Sequence, residues 1–271
     1  MMKIGFIGTG NMASAIIKGI IEKQFINASD IYLFDVMTEK VAQFAKEIGA
    51  NACHSNKELV ESVDAIVLAV KPIIIEKVIS ETKEEILKNK SLIISIAAGT
   101  PIEKLQRLLK TEEMIPIVRV MPNVNAMIGE GAAAVCGNSY ASEEHITYVV
   151  KMFESVGHAW RLEEKDFSNF TALAGSSPAY AYLFIDSIAR AGVKNGLPKE
   201  LSNQIAAQAV LGSAKMLLES NENPWTLIDR VCSPGGTTVA GLVALEDEAF
   251  ISTVIKGIDA TIEKDMELNQ K

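Results

Sequence analysis

The chain has 271 residues, 48% hydrophobic and 22% charged, the balance of a globular protein with room for a substantial core in one large domain or two ordinary ones. Its formal net charge of −8, from 26 basic and 34 acidic residues with no basic cluster, speaks against nucleic acid as a partner. Three widely spaced cysteines, Cys53, Cys136 and Cys232, argue for reduced thiols in a cytosol-like compartment and against a structural metal or a disulfide frame.

Ile4-Gly5-Phe6-Ile7 is too short to be the core of a signal peptide, and no small-residue cleavage site follows it. No uncharged apolar run reaches the length of a membrane span. The richest stretch, residues 172–188, holds Gly175, Ser176, Ser177, Pro178 and Asp186 and reads as a buried helix. A cytoplasmic protein is expected.

In chain order, Ile4-Gly5-Phe6-Ile7, Ile31-Tyr32-Leu33-Phe34, residues 65–70, residues 92–96 and Ile117-Val118-Arg119-Val120 read as strands. They are nearly continuous in apolar character, as strands covered on both faces should be. Helical patterns over 13–23, 39–48 and 73–87 lie between them, so a mostly parallel sheet with right-handed crossovers is expected. Ala132-Ala133-Ala134-Val135 reads as a further strand and 143–155 as a helix. Beyond Asp166 the strand signals stop, and 167–174, 178–195, 199–218, 224–231 and 247–268 all read as helices. Helices this apolar cannot all bury their faces within ~100 residues, so some should pack against another chain. The fold class expected is α/β: a Rossmann-type dinucleotide-binding domain over residues 1–165, then an all-α domain over 166–271.

Gly8-Thr9-Gly10-Asn11-Met12-Ala13 follows the first strand and opens the first helix, in the form G-x-G-x-x-A. The first glycine makes the turn, the second lets the backbone approach a pyrophosphate, and the alanine permits close helix–strand packing. The second strand ends at Asp35. A carboxylate there accepts hydrogen bonds from an adenosine ribose and favours NAD over NADP, the competing reading being an ordinary acid at a helix start. Val70-Lys71-Pro72 and Ala97-Ala98-Gly99 close two further strands at the sheet edge where ligands of open α/β folds bind. Lys71 reads equally as a surface lysine.

Far downstream lies Ser233-Pro234-Gly235-Gly236-Thr237-Thr238, ahead of the apolar run Val239-Ala240-Gly241-Leu242 that reads as a helix start. Paired glycines flanked by hydroxyls at a helix N-terminus suit an anion. With no Lys, Arg or acid in the turn, a small carboxylate fits better than a polyphosphate.

Taken together, these motifs resemble the pyrroline-5-carboxylate reductases nearly end to end. The likeness includes Gly8 to Ala13, Val70-Lys71-Pro72, Val118-Arg119-Val120-Met121-Pro122-Asn123, Gly175-Ser176-Ser177-Pro178-Ala179-Tyr180 and Cys232-Ser233-Pro234-Gly235-Gly236-Thr237-Thr238. The resemblance implies reduction of 1-pyrroline-5-carboxylate to L-proline with hydride from NADPH or NADH. It places Asn56 near the adenosine, Val70, Lys71, Pro72 and the turn with Ala97 and Gly99 along the dinucleotide, and Met121, Pro122 and Asn123 near the nicotinamide. It gives Ser233, Gly236, Thr237 and Thr238 the substrate carboxylate, with the Thr238 hydroxyl near the ring nitrogen, and implies dimers through C-terminal helices, often in larger rings. Such an active site is expected between two domains. Members that prefer NADPH carry a hydroxyl or Arg after the second strand, where this chain reads Asp35-Val36, so the lean is to NADH.

An iminium already carries positive charge, so hydride transfer to its carbon needs no strong protein acid. The three histidines, His54, His145 and His158, lie in no recognised motif and read as surface or structural residues. Glu222 reads as solvated, and Tyr180 as an interface residue. Two alternatives stand beside the reductase. A β-hydroxyacid-type dehydrogenase would need a lysine that residues 179–189 lack. A non-catalytic NAD(P)-binding protein would have no need of the 233–238 turn.

Overall fold

The computed structural model describes residues 2–269, and the chain divides into two compact units. The first runs to Gly175 and takes up the chain again at Ile262; the second is Ser176–Thr261.

The first unit alternates strands and helices as their patterns predict. In order come β1 (Ile4–Ile7), α1 (Asn11–Glu22), β2 (Ile31–Phe34), α2 (Thr38–Ile48), β3 (Asn51–Ala52), α3 (Asn56–Ser62), β4 (Ala65–Leu68), α4 (Pro72–Asn89), β5 (Leu92–Ser95), α5 (Ile102–Leu109), β6 (Ile117–Pro122), β7 (Gly131–Gly137), α6 (Glu143–Glu154), β8 (Gly157–Arg161) and the single turn α7 (Phe167–Phe170). The strands form one sheet in the order β3-β2-β1-β4-β5-β6-β7-β8. Every neighbouring pair is parallel except β6 with β7. The first six strands follow the doubly wound order of Rossmann folds, with the reversal between β1 and β4.

Both faces of this sheet are buried, and period-two alternation assigns its residues. Along β4, Ala65 and Val67 pack with α1 and α6 residues such as Ile16, Ile17 and Phe153. Ile66 and Leu68 face the other way, onto Leu59 of α3, Ile79 of α4 and Leu105 of α5. Helix ends obey local rules. Gly49 takes the left-handed conformation that closes α2, Pro72 opens α4, and Ser142 with His145 forms a reciprocal cap on α6.

Four elements lie outside the expected set. β3 and α3 are too short to build a strong periodic signal, α5 is a short helix that buries Ile102, Leu105 and Leu109 at helical spacing, and β8 (Gly-His-Ala-Trp-Arg) is a half-exposed edge strand ordered by its pairing with β7. Inside β6 sits a buried arginine. Arg119 Nη1 donates to Glu164 Oε1 at 2.8 Å, the same oxygen accepts the Ile102 N–H at 2.8 Å, and the guanidinium lies 4.6 Å from the centre of the Phe167 ring. One carboxylate thereby ties β6, the start of α5 and the chain before α7 together.

The helix expected over 167–174 departs from regular form: after α7 the chain widens into a π-helical turn, Thr171–Ser176. α8 (Ser177–Lys194), α9 (Lys199–Ser220), α10 (Pro224–Val231), α11 (Thr237–Asp247) and α12 (Phe250–Asn269) follow. The last helix therefore begins after Asp247, because Ala249 takes a left-handed φ of 59° between α11 and α12. Within the second unit, α8 and α9 form a hairpin turned by Gly196 at φ 97°, and the ring of Phe184 lies 5.9 Å from that of Phe250. Large apolar side chains such as Leu183, Leu211, Leu218 and Ile255 are more than half exposed, which is surface for another chain. Among the described residues no helix is long and apolar enough to cross a membrane.

Burial pushes the Cys136 thiol up to about 12, aided by the nearby Glu164 carboxylate, the Cys53 thiol up to about 11, aided by Glu58, and the Tyr148 phenol up to about 12. The fold thus favours their neutral forms, while the unfolded chain ionises at ordinary values. Their contribution is complete below roughly pH 8 and is lost as pH rises through about 11–12. The urea midpoint should be level near neutrality and fall in alkali. The fall should be shallower in the Cys53→Ala, Cys136→Ala double variant; an equal slope would contradict the account.

Candidate active site

The glycine turn between β1 and α1 is shaped by a close backbone approach. Gly8 has φ 99°, its N–H donates to the Phe34 carbonyl at 2.8 Å, and a Cβ there would lie 2.6 Å from the Ala69 carbonyl oxygen and 3.0 Å from Val70 Cγ1. Only glycine fits. Gly10, at the N-cap of α1, is the opposite case: nothing lies within 4 Å of the position its Cβ would take. No side chain caps α1, so the N–H groups of its first turn, which includes Asn11 and Met12, are left to an outside acceptor. Ser14 Oγ steadies the turn by donating to the Thr9 carbonyl at 3.0 Å.

Asp35, just past β2, is engaged with the same turn. Its Oδ2 accepts the Thr9 N–H at 2.9 Å and the Thr9 hydroxyl at 3.4 Å, and its Oδ1 accepts the Met37 N–H at 3.2 Å. The carboxylate thus serves as a staple between two strand ends, a use its place in the sequence did not reveal. Val36 beside it is 85% exposed. Asn56 opens α3 behind the Ser55 cap; its Nδ2 donates to Glu81 Oε2 at 2.8 Å, while its Oδ1 is buried without a hydrogen-bond partner. Lys71 is exposed at the N-cap of α4. Ala97 is buried after β5, and Gly99 turns the chain there at φ 63°. Pro122 ends β6, and Asn123 behind it is buried.

Gly8, Gly10, Asp35, Val70, Lys71, Ala97, Gly99, Pro122 and Asn123 therefore lie at or just past the carboxyl ends of β1, β2, β4, β5 and β6. This is the ligand-binding edge of a doubly wound sheet. An open space over Gly10, an uncapped helix start and an orphaned amide oxygen at Asn56 fit a dinucleotide with its pyrophosphate at α1.

The 233–238 turn belongs to the second unit. Gly236 N donates to the Ser233 carbonyl at 3.0 Å across Pro234 and Gly235, and Gly235 has φ 68°, a type II turn with its favoured residues in place. Gly236 is the N-cap of α11, and a Cβ there would meet Ser233 Oγ at 2.6 Å. Ser233, Thr237 and Thr238 are exposed around this helix start.

Other residues find structural employment. His145 Nδ1 accepts the Ser142 N–H within the α6 cap. Glu222, read from the sequence as solvated, instead accepts from Arg230 Nη2 at 2.6 Å. The hydroxyls of Tyr180 and Thr261 are hydrogen-bonded to each other. Among the described residues no cluster of His, Cys, Asp or Glu could hold a metal.

Residues 164–268 match the family model described as pyrroline-5-carboxylate reductase dimerisation, and residues 3–99 match NADP oxidoreductase coenzyme F420-dependent. The pyrroline-5-carboxylate reductase of Escherichia coli (strain K12) is 39% identical over 268 residues, covering 99% of this chain and 98% of its own. The Plasmodium falciparum pyrroline carboxylate reductase, solved with NADP bound, superposes with a TM-score of 0.85 at 37% identity, over 99% of this chain and 98% of that one. The Coxiella burnetii pyrroline-5-carboxylate reductase reaches a TM-score of 0.94 at 30% identity, covering 98% of each chain. With an α/β cofactor edge, a Ser-Gly-Thr turn at a helix start and this near end-to-end identity, the chain belongs to the pyrroline-5-carboxylate reductase family.

Proposed function

We propose that this protein reduces L-1-pyrroline-5-carboxylate to L-proline, the last step of proline biosynthesis, with hydride from NADPH or NADH. The observation that carries the reading is the near full-length identity to reductases of that name, which extends through the 233–238 turn.

The nicotinamide, when bound, supplies the hydride; the chain's part is to hold and orient. We assign the dinucleotide to Gly8, Gly10, Asn11, Met12, Asp35, Asn56, Val70, Lys71, Pro72, Ala97, Gly99 and Pro122, with Asn123 beside them contributing backbone and not its side chain. The pyrophosphate lies against the unpartnered N–H groups of α1, where the helix dipole favours negative charge. The substrate carboxylate is assigned to the start of α11, held by Ser233, Gly236, Thr237 and Thr238. Thr238 is the catalytic group: its hydroxyl hydrogen-bonds the ring nitrogen. The protonated imine accepts hydride at carbon, its C=N π pair becomes the nitrogen lone pair, and the amine of proline results with no further proton needed.

The protein assembles as a homo-oligomer. For this we propose a homodimer or a larger ring of dimers, with residues 1–165 as cofactor domain, 166–271 as helical substrate and dimerisation domain, no nucleic-acid partner and a cytoplasmic location.

Purified protein should oxidise NADH or NADPH in the presence of racemic pyrroline-5-carboxylate and leave a 2-keto acid untouched; activity on the keto acid alone would overturn the assignment. Thr238→Ala should lower kcat/KM by about 10–10³-fold, a cost of roughly 1.4–4 kcal/mol. Wild-type kinetics in the folded variant would remove Thr238 from the mechanism. Replacing Asp35 and Val36 by Ser and Arg should shift preference towards NADPH, since the carboxylate repels a 2′-phosphate. An unchanged NADH/NADPH ratio would show that the ribose is read elsewhere.

A further inference from the structure

Asn123 stands at the N-terminal boundary of the short 3-10 turn Val124–Ile128, where an Asn side chain ordinarily caps the following N–H groups. Here it makes no such bond. Its carboxamide is turned inward, the residue only 6% exposed, and it bridges two distant stretches of backbone. Oδ1 accepts the Ala132 N–H of β7 at 3.0 Å, and Nδ2 donates to the Ala174 carbonyl at 3.0 Å, 51 residues away in the chain.

The Ala174 carbonyl lies four residues before a proline. In an α-helix it would be served by the N–H of residue 178, which is proline and has none. The helix is also widened here, into the π-helical turn Thr171–Ser176. Such turns are rare and concentrate at functional positions. A second contact bears on the same turn: the place a Cβ would take on Gly175 lies 3.4 Å from Met121 Cε. Asn123 thus holds the turn from the end of β6, with the Met121 side chain close by.

We propose that Asn123 is a positioning residue for hydride transfer: it pins the wide turn to the carboxyl end of β6 beside the nicotinamide, and its side chain does not itself bind the cofactor. The inference rests on the reductase reading above. Both ends of the carboxamide are committed to backbone partners, and their burial keeps them there. Loss of the bridge lets the turn shift, and a small misplacement costs more in the aligned transition state than in cofactor affinity.

The test uses the full-length protein with Asn123→Ala and Asn123→Asp. The aspartate keeps an acceptor for Ala132 N–H but sets an oxygen against the Ala174 carbonyl; being nearly isosteric, it keeps the test available if Asn123→Ala is too unstable to assay. For wild type and variants, the Kd of NADPH and of NADH is measured by calorimetry. Beside it are measured kcat, KM and the primary isotope effect with nicotinamide-deuterated cofactor. In both variants kcat should fall roughly 10–100-fold, with Kd held within about threefold. The isotope effect should rise as hydride transfer becomes rate-limiting. A Kd weakened in step with kcat/KM at an unchanged isotope effect would make Asn123 a cofactor ligand and overturn the proposal. Wild-type kcat and isotope effect in a folded variant would overturn it too. A wild-type protein that does not turn over pyrroline-5-carboxylate would remove the reductase reading and this proposal with it, whereas normal wild-type turnover with unaffected variants sinks the proposal alone.

Discussion

Where β1 meets the glycine turn, the backbone of Gly8 passes so near the Ala69 carbonyl that a single methyl group would lie 2.6 Å from it. That approach follows from β1 being paired on both sides, with β2 and with β4, at the reversal of strand order. The chain leaves β1 here at a φ of 99°, a conformation that favours glycine. α1 then starts above the sheet edge with its first N–H groups uncapped and an open space over Gly10. The cofactor site, the orientation of α1 and the crossover to β2 all inherit their geometry from this contact.

Around that constraint the polar side chains are spent largely on backbone. Asp35 holds the Thr9 and Met37 N–H groups, Glu164 holds that of Ile102 together with Arg119, and Asn123 joins β7 to the wide turn after α7. Each joins segments distant in the chain or steadies a turn that carries no regular hydrogen-bond ladder. This is how an α/β scaffold can keep irregular loops in register at its ligand edge while the central strands beneath remain largely apolar. The arrangement also sorts residues by role. Groups committed to backbone steady the loops at this edge, and groups left exposed there or at the start of α11, such as Lys71, Thr237 and Thr238, are open to solvent.

The second unit obeys a different economy. Its helices α8 to α11 bury only Pro178, Ala189, Ser202 and Ala206 among the described residues, far too little apolar surface to hold so much helix on its own. The exposed leucines, isoleucines and aromatics are the complement, and assembly with a second chain supplies the missing burial. Its 233–238 turn needs no such help: Pro at the second position and Gly at the third dictate a type II turn locally.

Strands β1, β2, β4, β5 and β6, the long helices, the glycine turn and the 233–238 turn were legible in the sequence because each is encoded within a few consecutive residues. Hydrophobic period, glycine at positive φ and proline at a helix start act over one or two turns of chain. The antiparallel entry of β7, the edge strand β8 and the staple at Asp35 were decided only by tertiary structure. So were the Arg119–Glu164 pair and the bridge of Asn123 to Ala132 and Ala174. In each case the partner lies too far along the chain for any local period to announce it: 45 residues for Arg119 with Glu164, 51 for Asn123 with Ala174. Pro178, which has no N–H to give, lies four residues after Ala174. Which side chain would answer the Ala174 carbonyl depended on how the sheet brought β6 beside it.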